Sequence, residues 1–306
     1  MIGELFGALA ALTISSNSLP ANLNASSQSA IKTLPISQDS VRPEAPVKKR
    51  QDSMGVKTTA PSVFVADVAS GKVLFSKNAY ESRSIASLTK LVTAIVVLDQ
   101  KPDLKQKIIF SEDDFDGESK PVFAAGEALT IEDVLKSMLV GSINASANAL
   151  ARYFGGKDNF VILMNEKIKS LGLKSPELVE PSGINPRNRA DAADLAAIIS
   201  TAAGYPEIRE YAKLETVTVY GNNGKNAHVI SSTNLLLQSY LNKGPFRIVM
   251  AKTGSLPEAG YCMAQITSQG SGKEVVAVEL GSDNHFSRYQ DIKILTAWAF
   301  DTYEWR

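Results

Sequence analysis

"SIASLTKLVTAIVVLD", residues 84–99, sets Ser87 and Lys90 three positions apart at the head of an apolar run. Leu88, Leu91, Val92, Ile95 and Leu98 recur at helical spacing, and Pro102 stops the helix. Residues three apart on a helix share a face. Ser84 is the expected N-cap, which puts Ser87 in the first turn. There, free N–H groups and the positive end of the helix dipole favour an oxyanion forming at the serine. Lys90 can take the serine's proton only when it is itself uncharged. Burial and a second nearby cation both lower a lysine pKa toward that state. Alone, the pair is better explained as a solvated helix edge, so the second cation decides.

"VMAKTGSLPEAGYCMAQ", residues 249–265, supplies it. Lys252, Thr253 and Gly254 follow an apolar run and are expected to close a strand. Gly254 has no β-carbon and lets a ligand approach the strand edge. Lys252 and Thr253 can hold a carboxylate by charge and hydroxyl. The N–H of Ser255 can partner that of Ser87 as an oxyanion hole. A third segment, "MLVGSINASANAL" at 138–150, places Ser142 and Asn144 in a short break between two helices. Ser142 can relay protons there, and Asn144 can bind an amide. Ser-x-Asn also occurs at 15–17, 232–234 and 282–284; what singles out Ser142 is its place between the other two motifs.

Composition removes several alternatives. Lys+Arg and Asp+Glu stand at 32 each in 306 residues, so neither a nucleic acid nor an anionic membrane surface is implied as partner. Cys262 is the single cysteine and no intramolecular disulfide can form. His228 and His285 are far apart without ligand-like neighbours; no metal site and no cofactor are expected. Leu5–Ile14 is an apolar run of signal-peptide length, too short to span a bilayer. Residues 1–21 are therefore expected to be a signal peptide or N-terminal membrane anchor. Residues 22–57 have disordered-linker composition, and 58–306 form one domain. This organisation implies export to the cell envelope, with any membrane contact made through the N-terminal segment.

A coarse pass places strands at both ends of the domain and helices between them. "SVFVADVASGKVLFSKN" reads as a hairpin around Gly71. Thr130 with Asp133 starts a helix that Gly141 ends. Further helices cover Ala145–Phe154, Phe160–Leu171 and Asp191–Ala202. Strands return at Thr216–Tyr220, Arg247–Lys252, Tyr261–Thr267 and Glu274–Leu280, before a C-terminal helix with Tyr289, Ile292, Leu295 and Trp298 on one face. Distant strands sharing one sheet give an α/β (α+β) domain with a helical insertion. Cys262 is expected in the core, Trp298 and Trp305 in packing, "SEDDFDGES" (111–119) in a solvated loop, and Asn234 as a possible groove residue.

The order Ser-x-x-Lys, Ser-x-Asn, Lys-Thr-Gly, with intervals of 55 and 110 residues, resembles the serine penicillin-recognising enzymes. The flanks "IASLTKLVTA", "EPSGIN" and "AKTGSLPEAGYCM" are similar to those of D-alanyl-D-alanine carboxypeptidases, the low-molecular-mass penicillin-binding proteins. The resemblance covers about residues 60–300. It implies a β-lactamase/transpeptidase-like fold: a largely antiparallel sheet flanked by helices, plus an all-helical lobe. It implies Ser87 as nucleophile toward peptidoglycan stem peptides ending in D-Ala-D-Ala, Lys90 as base, and Ser142 and Asn144 as further catalytic residues. Lys252, Thr253, Gly254 and Ser255 would bind substrate, and β-lactams would acylate Ser87. Ile143 and Ala145 depart from the Gly and acid that members often carry. The alternatives within this resemblance are a D,D-endopeptidase, a class A-like β-lactamase using Glu177 or Glu180, and a non-catalytic β-lactam sensor.

Overall fold

Strand residues with both faces buried need cover on both sides, and the central strands here are of that kind. A computed structural model of the chain describes residues 44–305, except 117, 119, 120 and 271. The expected leader at 1–21 and most of the expected linker lie outside the described residues. In chain order the elements are β1 (Val47–Lys48), β2 (Ser62–Asp67), β3 (Val73–Lys77), β4 (Arg83–Ser84), α1 (Lys90–Asp99), β5 (Lys107–Ile109) and β6 (Ala128–Thr130). There follow α2 (Ile131–Val140), α3 (Asn144–Tyr153), α4 (Lys157–Ser170), β7 (Arg189–Ala190), α5 (Ala192–Ala202) and α6 (Pro206–Tyr211). The last part holds β8 (Thr216–Gly221), β9 (Asn226–Ser231), β10 (Phe246–Leu256), β11 (Gly260–Gln269), β12 (Glu274–Ser282), α7 (Ser287–Thr302) and β13 (Tyr303–Glu304).

The main sheet runs β10-β11-β12-β2-β3, antiparallel throughout. Its period of two divides the core. Phe64, Ala66, Val276, Val278 and Leu280 face the helical lobe with α1, α2 and α5. Val63, Val65, Val275 and Ala277 face α7 through Tyr289, Ile292, Leu295 and Phe300. Burying a Val or Leu side chain is worth about 1.5–3 kcal/mol, so both layers contribute to holding the sheet. β10 lies at the sheet edge, and among the described residues one of its sides has no strand partner.

Several expectations hold in detail. Thr130 Oγ1 accepts from Asp133 N at 3.0 Å and caps α2. Cys262 is fully buried. Trp298 stacks edge-on against Phe75, and Trp305 packs on Phe300. Others need correction. The Thr216–Tyr220 strand does not join the main sheet; it pairs only with β9, in a separate hairpin. Residues 44–57, read as linker from their polarity, include β1, which pairs with β13, and Ser53, which accepts from Trp298 Nε1 at 2.7 Å. Backbone pairing of two residues leaves no mark on composition. The 111–119 stretch is not simply solvated either: Asp114 is fully buried against Arg152.

One buried acid lies inside the sheet. Burial, and next the neighbouring Asp291, push the Glu279 carboxyl up to about 8, against hydrogen bonding from Ser282 and the charge of Arg288. The unfolded chain ionises near 4.5 while the folded one keeps its proton. Stability therefore falls as pH rises from there to about 8, and the loss is complete above it. Glu279→Gln, neutral at every pH, should match wild type at pH 4.5 and exceed it at pH 9 by on the order of 3 kcal/mol in urea unfolding. Equal pH dependence of the two proteins would contradict this account.

Candidate active site

The serine–lysine pair forms where three segments meet. Ser84 is not a helix cap; it lies in β4, paired with β7, and Ile85 N then donates to Asn188 O at 3.1 Å. A tight 3-10 turn, Ala86–Thr89, carries Ser87 and passes directly into α1 at Lys90. Ala86 is held at φ 46°, a left-handed conformation that costs a residue with a side chain about 1–3 kcal/mol. Two glycines make the crowding possible. A β-carbon on Gly183 would stand 2.0 Å from Ala86 O, and one on Gly254 would stand 2.9 Å from Ser87 N.

Lys90 is fully buried and its Nζ lies 3.1 Å from Ser87 Oγ. The same nitrogen donates to Asn144 Oδ1 at 2.7 Å and to the Ser182 carbonyl. Both are acceptors only. An uncharged amine has two N–H groups and one lone pair, so these two oxygens take both hydrogens and the lone pair is left for the Ser87 hydroxyl. Burial lowers the Lys90 pKa to about 7, partly offset by Glu180 and Glu118. Burial, and not a second cation, accounts for the lowering.

Lys252 is buried too, and its amine is held well below the usual lysine range by burial, then by Lys90 and Arg288. Its Nζ donates to Ser142 Oγ at 2.7 Å and to Thr253 O at 2.9 Å. These contacts tie the amine to Ser142 and to its own strand. The Lys-Thr-Gly motif lies within β10, which continues to Leu256; it does not close the strand. Ser142 takes φ 60°, while Gly141 stays at φ −85°. Gly141 is needed for another reason: a β-carbon there would meet Ile230 Cγ2 at 2.4 Å.

A cleft of about 250 Å³ opens over these groups, lined by Ser87, Ser142, Thr253, Gly254 and Ser255. All eight residues singled out in the sequence therefore converge: five line the cleft, and Lys90, Asn144 and Lys252 lie behind it. A larger hollow of about 700 Å³ between α6 and β10 holds none of them.

The cleft also contains groups that sequence reasoning missed. Arg288, almost fully buried on α7, donates to Gly254 O at 3.0 Å and to Tyr289 Oη at 2.8 Å. Thr233 Oγ1 lies 2.7 Å from Thr253 Oγ1. Its neighbour Asn234 instead caps a 3-10 turn through Leu236 N at 3.0 Å, so Thr233 and not Asn234 lines the catalytic cleft. An arginine amid the buried face of α7 was the one available signal for Arg288. The Glu180 carboxylate accepts from Ser182 N and Oγ, Gly183 N, Asn185 N and Asn188 Nδ2, and so shapes the turn that offers Ser182 O to Lys90. Among the described residues, no cluster of three or more His, Cys, Asp and Glu is arranged to hold a metal.

Comparison with known proteins gives a consistent picture. A family model described as D-alanyl-D-alanine carboxypeptidase matches residues 47–284. A D-alanyl-D-alanine endopeptidase of Pseudomonas aeruginosa is 33% identical over 243 residues, covering 78% of this chain and 76% of that protein. A D-alanyl-D-alanine carboxypeptidase of Bacillus subtilis is 27% identical over 252 residues, covering 80% of this chain and 63% of that one. The crystal structure of a Streptomyces DD-transpeptidase superposes with a TM-score of 0.75 at 26% identity, over 81% of this chain and 100% of that one.

Proposed function

The chain belongs to the D-alanyl-D-alanine carboxypeptidase family, and from that premise we propose that it is a serine D,D-peptidase that removes the terminal D-alanine from peptidoglycan stem peptides. The observation that carries this reading is the Lys90 amine, 3.1 Å from Ser87 Oγ with both N–H groups engaged elsewhere. Ser87 Oγ attacks the carbonyl carbon of the penultimate D-alanine, and its proton passes to the Lys90 lone pair. The N–H groups of Ser87 and Ser255 hold the oxyanion. On collapse, the C–N bond breaks. The proton on Lys90 returns through the Ser142 hydroxyl to the leaving amine, and D-alanine departs. Water, deprotonated by Lys90, then attacks the Ser87 ester, and the proton passes from Lys90 to Ser87 Oγ as the C–O bond breaks.

The terminal carboxylate lies against Thr253, Thr233 and Arg288 in this reading. Lys252 acts on it at longer range and polarises Ser142 directly. Because β10 is an edge strand, the stem peptide can add alongside it by backbone hydrogen bonds. β-Lactams, which present the same carboxylate and a strained amide, acylate Ser87. In this reading the enzyme works in the cell envelope, where peptidoglycan lies. Deacylation by Glu180, as a class A-like β-lactamase would require, is disfavoured: its two oxygens are committed to five donors within its own turn.

A fluorescent penicillin should label the wild type and leave Ser87→Ala unlabelled at equal folding; label on that variant would end the proposal. Mass analysis after incubation with a pentapeptide and with a crosslinked muropeptide dimer separates the two peptidase activities. Release of free D-alanine supports the carboxypeptidase, and cleavage of the dimer alone supports the endopeptidase.

A further inference from the structure

Asn144 touches Lys90 from the first residue of α3, yet that helix start has no cap of its own. Ile143 stands at the N-cap position without a side-chain hydrogen bond, and the first turn carries no acid. Free N–H groups at a helix start need an acceptor, and negative charge is favoured there. The acceptor comes from a distant loop. Glu118 Oε1 accepts from Asn144 N at 2.7 Å and from Ala145 N at 3.1 Å.

Asp114, four residues earlier, is bonded to the same helix. Asn148 Nδ2 donates to Asp114 O at 2.9 Å. Arg152 donates to the buried Asp114 carboxylate through Nε at 2.9 Å and Nη2 at 2.7 Å. Positions 144, 148 and 152 are successive turns of one helix face. Asp114 therefore contacts that face at its second and third turns, and the Glu118 carboxylate lies over the helix N-terminus.

We propose that Glu118 is a positioning residue for the Ser87–Lys90 pair: its carboxylate holds the first turn of α3, and with it the Asn144 oxygen, against the Lys90 amine, and supplies there the charge that the helix start lacks. The inference rests on the serine peptidase reading above. Three titratable groups face Lys90: the carboxylates of Glu180 from the 180–185 turn and of Glu118, and the Lys252 amine from β10, itself held below the usual lysine range. The two carboxylates favour the ammonium form, and burial opposes it. Glu118 therefore has two separable effects. Its oxygen places Asn144, and its charge sets the pH at which Lys90 becomes a base.

The test is the second-order rate of acylation by a fluorescent penicillin from pH 5 to 9. Wild type should rise with pH to a plateau, half-maximal near the Lys90 value of about 7. Glu118→Gln keeps an oxygen acceptor and loses the charge. Its midpoint should move about half a unit lower, with a smaller fall in plateau than Glu118→Ala shows. Glu118→Asp keeps the charge with a shorter reach, so its plateau should fall while its midpoint stays. Glu118→Ala should lower the plateau about tenfold or more. A midpoint unchanged in Glu118→Gln overturns the inference, whether or not its plateau falls. A wild type that takes no label would instead remove the peptidase reading itself.

Discussion

Replacing Lys90 with methionine should slow acylation by a labelled penicillin about a thousandfold or more while leaving a folded protein. The rate estimate follows from loss of a positioned general base, which contributes roughly 10²–10⁴-fold. Here the base also fixes the serine rotamer, which places the loss toward the upper end. The fold should tolerate the change. Burying a lysine amine is costly, and methionine has nearly its length and shape with no charge to desolvate. Two oxygens, Ser182 O and Asn144 Oδ1, lose a donor, which limits any gain. Lys90→Arg is the informative partner. A guanidinium keeps the positive charge but does not deprotonate, so an equally inactive arginine variant shows that the lone pair, and not the charge, is required. Substantial labelling of either variant would contradict the mechanism.

The second large effect is expected at Gly183. Alanine there meets two obstacles at once: φ is +84°, and its β-carbon would stand 2.0 Å from Ala86 O and 2.9 Å from Ser87 Cα. Both neighbours are backbone, so no side chain can swing away. Gly183→Ala should therefore lose several kcal/mol of stability. It should also slow acylation about a hundredfold, since displacement of a reacting group by about an ångström costs that much. Gly172→Ala is the control. Its φ is +71°, but nothing lies within 4 Å of the added carbon. Only the backbone strain of about 1 kcal/mol should appear in urea unfolding, with acylation unchanged. Equal behaviour of the two variants would refute the steric argument.

What the amino-acid order revealed, and what it hid, follows the range of the interactions concerned. Ser87 and Lys90 were legible because one helical turn joins them. The Thr130 cap was legible because its partner is Asp133, three residues on. Gly141 was found at the right place for the wrong reason. The left-handed residue is Ser142, and the glycine serves Ile230, which arrives from β9. Lys252 was expected to hold a carboxylate; its hydrogen bond to Ser142, 110 positions away, is a contact that the order of residues does not show. Thr233 and Glu118 had no local signature, since each acts on a group contributed by another segment; Arg288 offered only a charge amid a buried helix face, and the role of Glu180 lies in bonds within its own turn. Ser84 was misassigned because hydroxyl residues before an apolar run suit a cap and a short strand alike. The 3-10 turn at 86–89 has no periodicity long enough to separate it from α1.

The backbone at Ser87 is gripped on one side by the 182–184 turn and on the other by β10. Those two supports arrive roughly 95 and 165 residues after the nucleophile. Contacts of that sequence separation are made late, after the slow closure of long loops. A chain in which those contacts are unmade carries the serine and the lysine and is still inert. Competence to react with an antibiotic is then a property of the assembled tertiary structure and not of the serine–lysine segment alone.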